Sequence, residues 1–98
     1  MRKITETAVE HFLNAEKFKQ SNTEVKVLPN VTVMLLFDNE IAYRYNDPEQ
    51  TLSITNASWK TDTTKTRLNG LPNVQIKQVK GKWYLNGKEW DGKLIDIK

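Results

Sequence analysis

His11 is the one imidazole in the chain, and there is no cysteine. Ser–His–Asp chemistry therefore has a single base to draw on, and Cys–His chemistry has no thiol. A zinc site built from cysteines or several histidines has no ligand set. His11 falls at the edge of an apolar helical stripe, with no nucleophile near it in sequence. That is the setting of a half-buried packing residue rather than a general base. Asp38 and Glu40 flank a turn, Asp91 follows a hairpin and Asp96 lies near the C-terminal end. None is placed for a hydrolytic pair, which needs two carboxyls about 5–9 Å apart across a cleft. The four glycines fall at expected turns and caps, and neither spacing of a phosphate-binding glycine loop occurs. The expectation is a non-enzymatic protein with no cofactor and no metal.

Two constellations favour binding. Lys77, Lys82 and Tyr84 share one face of a strand pair, with Lys80 at its tip and Lys88 nearby. They could grip phosphates while Tyr84 stacks on a base. Lys65 and Arg67, with Thr63 and Thr64, would approach a nucleic-acid backbone from the preceding helix. The plain alternative is that exposed lysines protect a strand edge and keep the protein in solution. Tyr43 and Tyr45 alternate with Ala42 and Arg44 and share a face with Ile41. If no helix covers that face, it is an apolar patch of the kind that marks a protein interface. The protein-binding set is then Tyr43, Arg44, Tyr45, Lys77, Lys82 and Tyr84. The nucleic-acid set is Lys65, Arg67, Lys77, Lys80, Lys82 and Tyr84.

The elements that must position these residues follow from periodicity. Ile4, Ala8, Phe12, Ala15 and Phe18, flanked by Val9 and Leu13, make one stripe at helical spacing, so a helix is expected over about 5–20. Thr5 or Thr7 is its expected cap, Thr7 and Glu10 having the capping-box spacing. Strands are expected at Glu24–Leu28, Val31–Phe37, Glu40–Asn46 and Thr51–Thr55, separated by turns at Pro29-Asn30, Asp38-Asn39 and Asn46–Glu49. A short helix over about 61–69 rests on cap-type residues at its start and on Gly70 as a C′ residue, since its threonines have poor helix propensity.

A meander follows, turning at Lys80-Gly81, Asn86-Gly87 and Asp91-Gly92, with Leu94–Ile97 as a further strand. Counting outward from Lys80-Gly81 opposes Lys77 to Tyr84 and Ile76 to Leu85. That places Val74, Ile76, Trp83 and Leu85 on a core face and Lys77, Lys82 and Tyr84 on a solvent face. The Asn86-Gly87 turn opposes Trp83 to Trp90 as a structural pair. Phe12, Phe18, Phe37, Trp59, Trp83 and Trp90 are the aromatics available to fill the core. The class is α+β: an N-terminal helix and a short second helix on an antiparallel sheet or meander of about five to seven strands.

The chain has 98 residues and a net charge of +3, and it reads as one small domain. Its 38% hydrophobic content implies a small core under a large polar surface. The charge is unevenly spread: residues 1–50 carry −2 and residues 51–98 carry +5. A basic half suits phosphate but does not require it. The longest apolar run, Val33–Phe37, is far short of a bilayer span, and no apolar stretch follows Arg2-Lys3 as in a signal peptide. No membrane contact and a cytosolic location are expected, and exposed strand edges could pair two copies.

Four segments carry a resemblance: Leu52–Trp59 (LSITNASW), Thr63–Leu71 (TTKTRLNGL), Gly81–Gly87 (GKWYLNG) and Trp90–Gly92. With the helix exit Phe18–Val25 (FKQSNTEV), they resemble a family of small bacteriophage accessory proteins over about residues 5–92. Ser58 stands where that pattern has Gly, which bears on a turn. The resemblance implies a non-catalytic protein in the host-cell cytoplasm. It would occupy and block a host enzyme or defence complex, in the manner of anti-CRISPR and other anti-defence proteins. Some such proteins bind DNA or RNA instead. This is fold-level analogy rather than site evidence.

Overall fold

The structure is a computed structural model and describes residues 2–97. Helix α1 (Lys3–Leu13) buries Ala8, Val9 and Phe12 along the expected stripe. It stops well before residue 20. The Asn14 amide donates to the Glu10 carbonyl and the Ala15 amide to the Phe12 carbonyl, and Ala15 takes a left-handed φ of 54°. Phe18–Gln20 then forms strand β1. Phe18 lies in phase with the helical stripe and packs on the core, but from a strand. Periodicity alone cannot separate those cases. Neither threonine caps α1. The N-cap is Arg2, Thr5 is fully buried, and Thr7 donates to the Lys3 carbonyl one turn back.

Strands β2 (Thr23–Val27), β3 (Val31–Leu36), β4 (Asn39–Tyr45) and β5 (Leu52–Ile54) continue an antiparallel meander from β1. Helix α2 (Asp62–Asn69) follows, capped by the Thr61 hydroxyl, which accepts from the Thr64 amide. Strands β6 (Ile76–Val79), β7 (Lys82–Leu85) and β8 (Lys88–Glu89) form a second sheet. Strand β9 (Ile95–Ile97) returns to the first sheet beside β5, giving the order β1-β2-β3-β4-β5-β9. The expected single sheet is thus two sheets, of six and three strands. The β6–β7 register is the one counted from the Lys80-Gly81 turn. Trp90 donates its amide to the Trp83 carbonyl, and the two indoles lie 6.2 Å apart.

One irregularity redirects β4. Met34 pairs with Ala42 and Leu35 with Glu40, so Ile41 is an extra residue in the ladder. A bulge of this kind turns adjacent side chains to the same side. Ile41 and Ala42 are both buried in the core, at 1% and 0% exposure. Ile41 therefore does not share a face with Tyr43 and Tyr45, contrary to strict alternation. The turn before β4 also sits one residue earlier than expected, at Phe37-Asp38, because Leu36 pairs with Asn39.

Gly70 ends α2 at φ −78°, so left-handed backbone is not its purpose. A Cβ there would stand 2.7 Å from Thr5 Cγ2 and 3.0 Å from Val9 Cγ2. Its missing side chain lets the end of α2 rest directly on α1. Among the described residues no helix is long and apolar enough to cross a membrane.

Candidate functional site

The polar residues singled out in the sequence occupy three separate places. Tyr43 and Tyr45 stack with ring centroids 6.3 Å apart, opposite Val33 and Val31 on β3. Arg44 lies between Thr32 and Leu52 and faces the other side of the sheet. Tyr43 donates its phenol to Glu40 Oε1 at 2.8 Å. Burial, then that hydrogen bond and the Glu40 charge, push its pKa up to about 12.

The second place is the β6–β7 hairpin. Lys77 opposes Tyr84, and Lys82 Nζ lies 3.9 Å from Glu89. Lys80 is at the tip with φ 51°, beside Gly81. Lys65 Nζ reaches toward this hairpin and is held by Gln78 Oε1 at 3.0 Å and Asp62 at 3.4 Å. Among the described residues no hydrogen bond or ion pair joins the Tyr43–Tyr45 face to the Lys77–Lys82–Tyr84 face.

Arg67 corrects the expected nucleic-acid set, because it is 2% exposed. Its guanidinium donates to Thr5 Oγ1, Thr23 Oγ1 and Asn22 Oδ1. Burial, then the nearby Arg2 charge, hold its pKa below the ordinary arginine value. A guanidinium spent on internal acceptors is not offered to a phosphate.

The catalytic candidates are likewise engaged in structure. The His11 ring stacks on Phe18 at 5.0 Å, with Nδ1 3.6 Å from Glu16 Oε1. Asp96 accepts from Ser53, and Asp91 accepts from the Lys93 amide. Among the described residues no three His, Asp or Glu side chains converge on a metal position.

The third place is a groove that sequence reasoning missed. Phe37 and Trp59 were expected in the core, yet they are 63% and 56% exposed. They border a groove of about 310 Å3 whose buried wall is Leu36, Ile41 and Thr64, and whose remaining rim is Asn39 and Thr61. The bulge at Ile41 supplies part of that apolar wall.

Both aromatics are carried by tight turns. Phe37 and Asp38 have φ of 50° and 66°, and Ala57 and Ser58 have φ of 53° and 66°. The same left-handed backbone occurs at Ala15, Ser21, Gln50, Asn73, Lys80 and Asn86, so it shapes the two turns without by itself marking a site. The second turn is braced by its own bonds. Trp59 donates its amide to the Asn56 carbonyl at 2.8 Å, and the Asn56 amide donates to the Gly92 carbonyl at 3.0 Å. At Phe37 the sequence signal is a bulky residue at a turn position that favours Asn, Asp or Gly, whereas Trp59 follows the two left-handed residues of its turn, Ala57 and Ser58.

A lysine beside the groove reaches across to the hairpin. Lys60 lies between Trp59 and Thr61 in the chain, and its ammonium donates to the Gly81 carbonyl at the hairpin tip. The Lys60 ammonium is thereby held at the hairpin tip, and Asp38 sits in the turn bearing Phe37.

No curated protein and no solved structure matches the chain. The family model described as Kyanoviridae Gp96 protein matches residues 1–95, so the chain belongs to this family of phage proteins.

Proposed function

We propose that this phage protein is a non-enzymatic binding protein. It acts in the host cytoplasm by occupying a surface of a host or defence-system protein, as anti-CRISPR and anti-defence proteins do. The observation that carries the reading is the exposure of Phe37 and Trp59 on tight turns either side of an apolar groove. Exposed aromatics beside a pocket are the residues that dominate protein interfaces when truncated to alanine. The lone His11, packed on Phe18, leaves little for catalysis. The stacked, half-buried Tyr43 and Tyr45 offer a second contact.

The test is capture from host lysate with tagged protein, with and without nuclease. A nuclease-resistant host complex, lost with Trp59→Ala and kept with a surface control such as Glu49→Gln, supports the reading. Equal capture by Trp59→Ala, Phe37→Ala and the parent protein defeats the groove as the contact.

The alternative is nucleic-acid binding, favoured by Lys60, next to the exposed Trp59, reaching the tip of the hairpin that carries Lys77, Lys80 and Lys82. It requires DNA or RNA affinity that falls steeply with salt. Absence of a gel shift even at low salt removes it.

A further inference from the structure

We propose that Asn86-Gly87 is a self-modifying turn, in which the Gly87 amide nitrogen displaces the side-chain amide of Asn86. The site does not depend on what the protein binds. The chain has two Asn-Gly pairs, Asn69-Gly70 and Asn86-Gly87. Glycine after asparagine leaves the attacking nitrogen unshielded, because it has no Cβ. The Gly87 nitrogen gives up its proton and bonds to Asn86 Cγ. The Cγ–Nδ2 bond breaks, and ammonia leaves with that proton, closing a cyclic imide. Water then opens the ring at one of its two carbonyls. One opening gives aspartate, and the other gives isoaspartate, with the chain rerouted through the side chain. Nothing but water is consumed.

The surroundings separate the two pairs. Both side chains are held. Asn69 donates to the Ile76 carbonyl at 3.1 Å and accepts from the Ile76 amide at 2.6 Å. Asn86 donates to the Asn73 carbonyl at 2.9 Å and accepts from the Gln75 amide at 2.9 Å. The backbones differ. The Gly70 amide donates to the Arg67 carbonyl at 3.2 Å, and a Cβ on Gly70 would stand 2.7 Å from Thr5 Cγ2. Ring closure there requires α2 to lift from α1. Asn86 and Gly87 are both exposed, and nothing lies within 4 Å of where a Gly87 Cβ would stand. Among the described residues no backbone hydrogen bond engages the Gly87 amide. As its nitrogen adds, negative charge develops on Asn86 Oδ1. The Gln75 amide already points at that oxygen, as backbone donors do toward an oxyanion.

The product weakens what the reactant holds. An aspartate at 86 sets a carboxylate oxygen against the Asn73 carbonyl, where the amide had donated. Isoaspartate adds a methylene to the main chain of a two-residue turn that opposes Leu85 to Lys88 and Tyr84 to Glu89. Either product places a negative charge beside Lys77 and Tyr84, with which Asn86 lines a recess of about 260 Å3. Release of ammonia makes the conversion one-way. The hairpin face therefore changes with the age of the molecule.

The experiment is incubation of the folded chain at mildly alkaline pH, with a parallel sample in urea, followed by peptide mapping in a mass spectrometer. Asn86 should gain the mass of a carboxyl in place of an amide at least about tenfold faster than Asn69 in the folded chain. That ratio is equivalent to about 1.4 kcal/mol less local opening. In urea, where both pairs are unfolded, the two rates should converge. The isoaspartyl form, separated by ion exchange, should exchange its Trp90 amide with deuterium faster than the parent, because Trp90 donates to Trp83 across this turn. Asn86→Asp, which keeps the length of the turn, should retain that protection.

Equal rates at the two pairs in the folded chain, or a faster rate at Asn69, overturn the assignment. So does an Asn86 that stays intact when folded over a period in which urea converts it, since the turn then protects the site. Unchanged Trp90 exchange in the isoaspartyl form overturns the effect on the hairpin.

Discussion

Arg67 Nη1 donates to Thr5 Oγ1 at 2.7 Å, tying α2 to the first helix across 62 positions of sequence. The same guanidinium donates through Nε to Thr23 on β2 at 3.0 Å and through Nη2 to Asn22 at 3.3 Å. One buried cation thus links two helices to the sheet with neutral acceptors and no carboxylate. Replacing it strands those acceptors. Arg67→Met should cost about 2–3 kcal/mol, the range for losing charge-assisted bonds to buried groups. A loss of less than about 0.3 kcal/mol by urea titration would deny it a structural role.

Gly70→Ala tests the contact beside it. The new methyl would meet Thr5 Cγ2 at 2.7 Å, closer than real contacts allow. Helix propensity predicts a gain from Ala, whereas overpacking predicts a loss of about 1–3 kcal/mol. A lower melting temperature in Gly70→Ala, restored by adding Thr5→Ser, is the expected result. A higher melting temperature in the single variant would mean that the helices move apart freely.

Ser58→Gly should stabilise the fold. Ser58 sits at φ 66° as the second central residue of a tight turn closed by the Trp59 amide and Asn56 carbonyl. Left-handed backbone costs a residue with a Cβ about 1–2 kcal/mol, partly offset by the greater freedom of glycine in the unfolded chain. A net gain of about 0.5–1 kcal/mol is expected by denaturant titration. A loss would mean that the serine side chain supports the turn in a way its hydrogen bonds do not record.

The hairpins were legible because their turns announce themselves. Asn86-Gly87 and Lys80-Gly81 fix register by backbone need, and the pairing of Lys77 with Tyr84 followed by counting. Helix α2 was legible from its Thr61 cap. The groove was not, for two physical reasons. A bulge breaks the two-residue period at Ile41, so alternation misassigned the faces of β4. Composition also places large aromatics inside by default, whereas Phe37 and Trp59 ride on turns that hold them out. Arg67 escaped for the converse reason: a charged helix residue reads as surface until its neutral acceptors, distant in sequence, come together around it.

Trp59 is the one exposed tryptophan among three, as Trp83 and Trp90 are 2% and 8% exposed. Iodide should quench a single accessible component of the indole emission, and Trp59→Ala should remove it. Because Trp59 is more than half exposed, its loss should change stability by no more than about 0.5 kcal/mol. Quenching that persists in the variant would place Trp83 or Trp90 at the surface instead.

Tyr43 supplies a pH-dependent readout on the other face of the sheet. Its phenol is held up to about 12, chiefly by burial, then by its hydrogen bond to Glu40 and the adjacent carboxylate charge. The folded value lies above the ordinary value of about 10 for an unfolded chain. The neutral phenol therefore favours the fold: the contribution is complete below about pH 10 and is lost as pH rises from there through about 12. Phenolate absorbance should show one tyrosine ionising late, and Tyr43→Phe should delete that step. Glu40→Gln should lower its pKa only part of the way toward 10, because the largest cause, burial, remains. A complete return to the ordinary value in Glu40→Gln would make the carboxylate, not burial, the dominant influence.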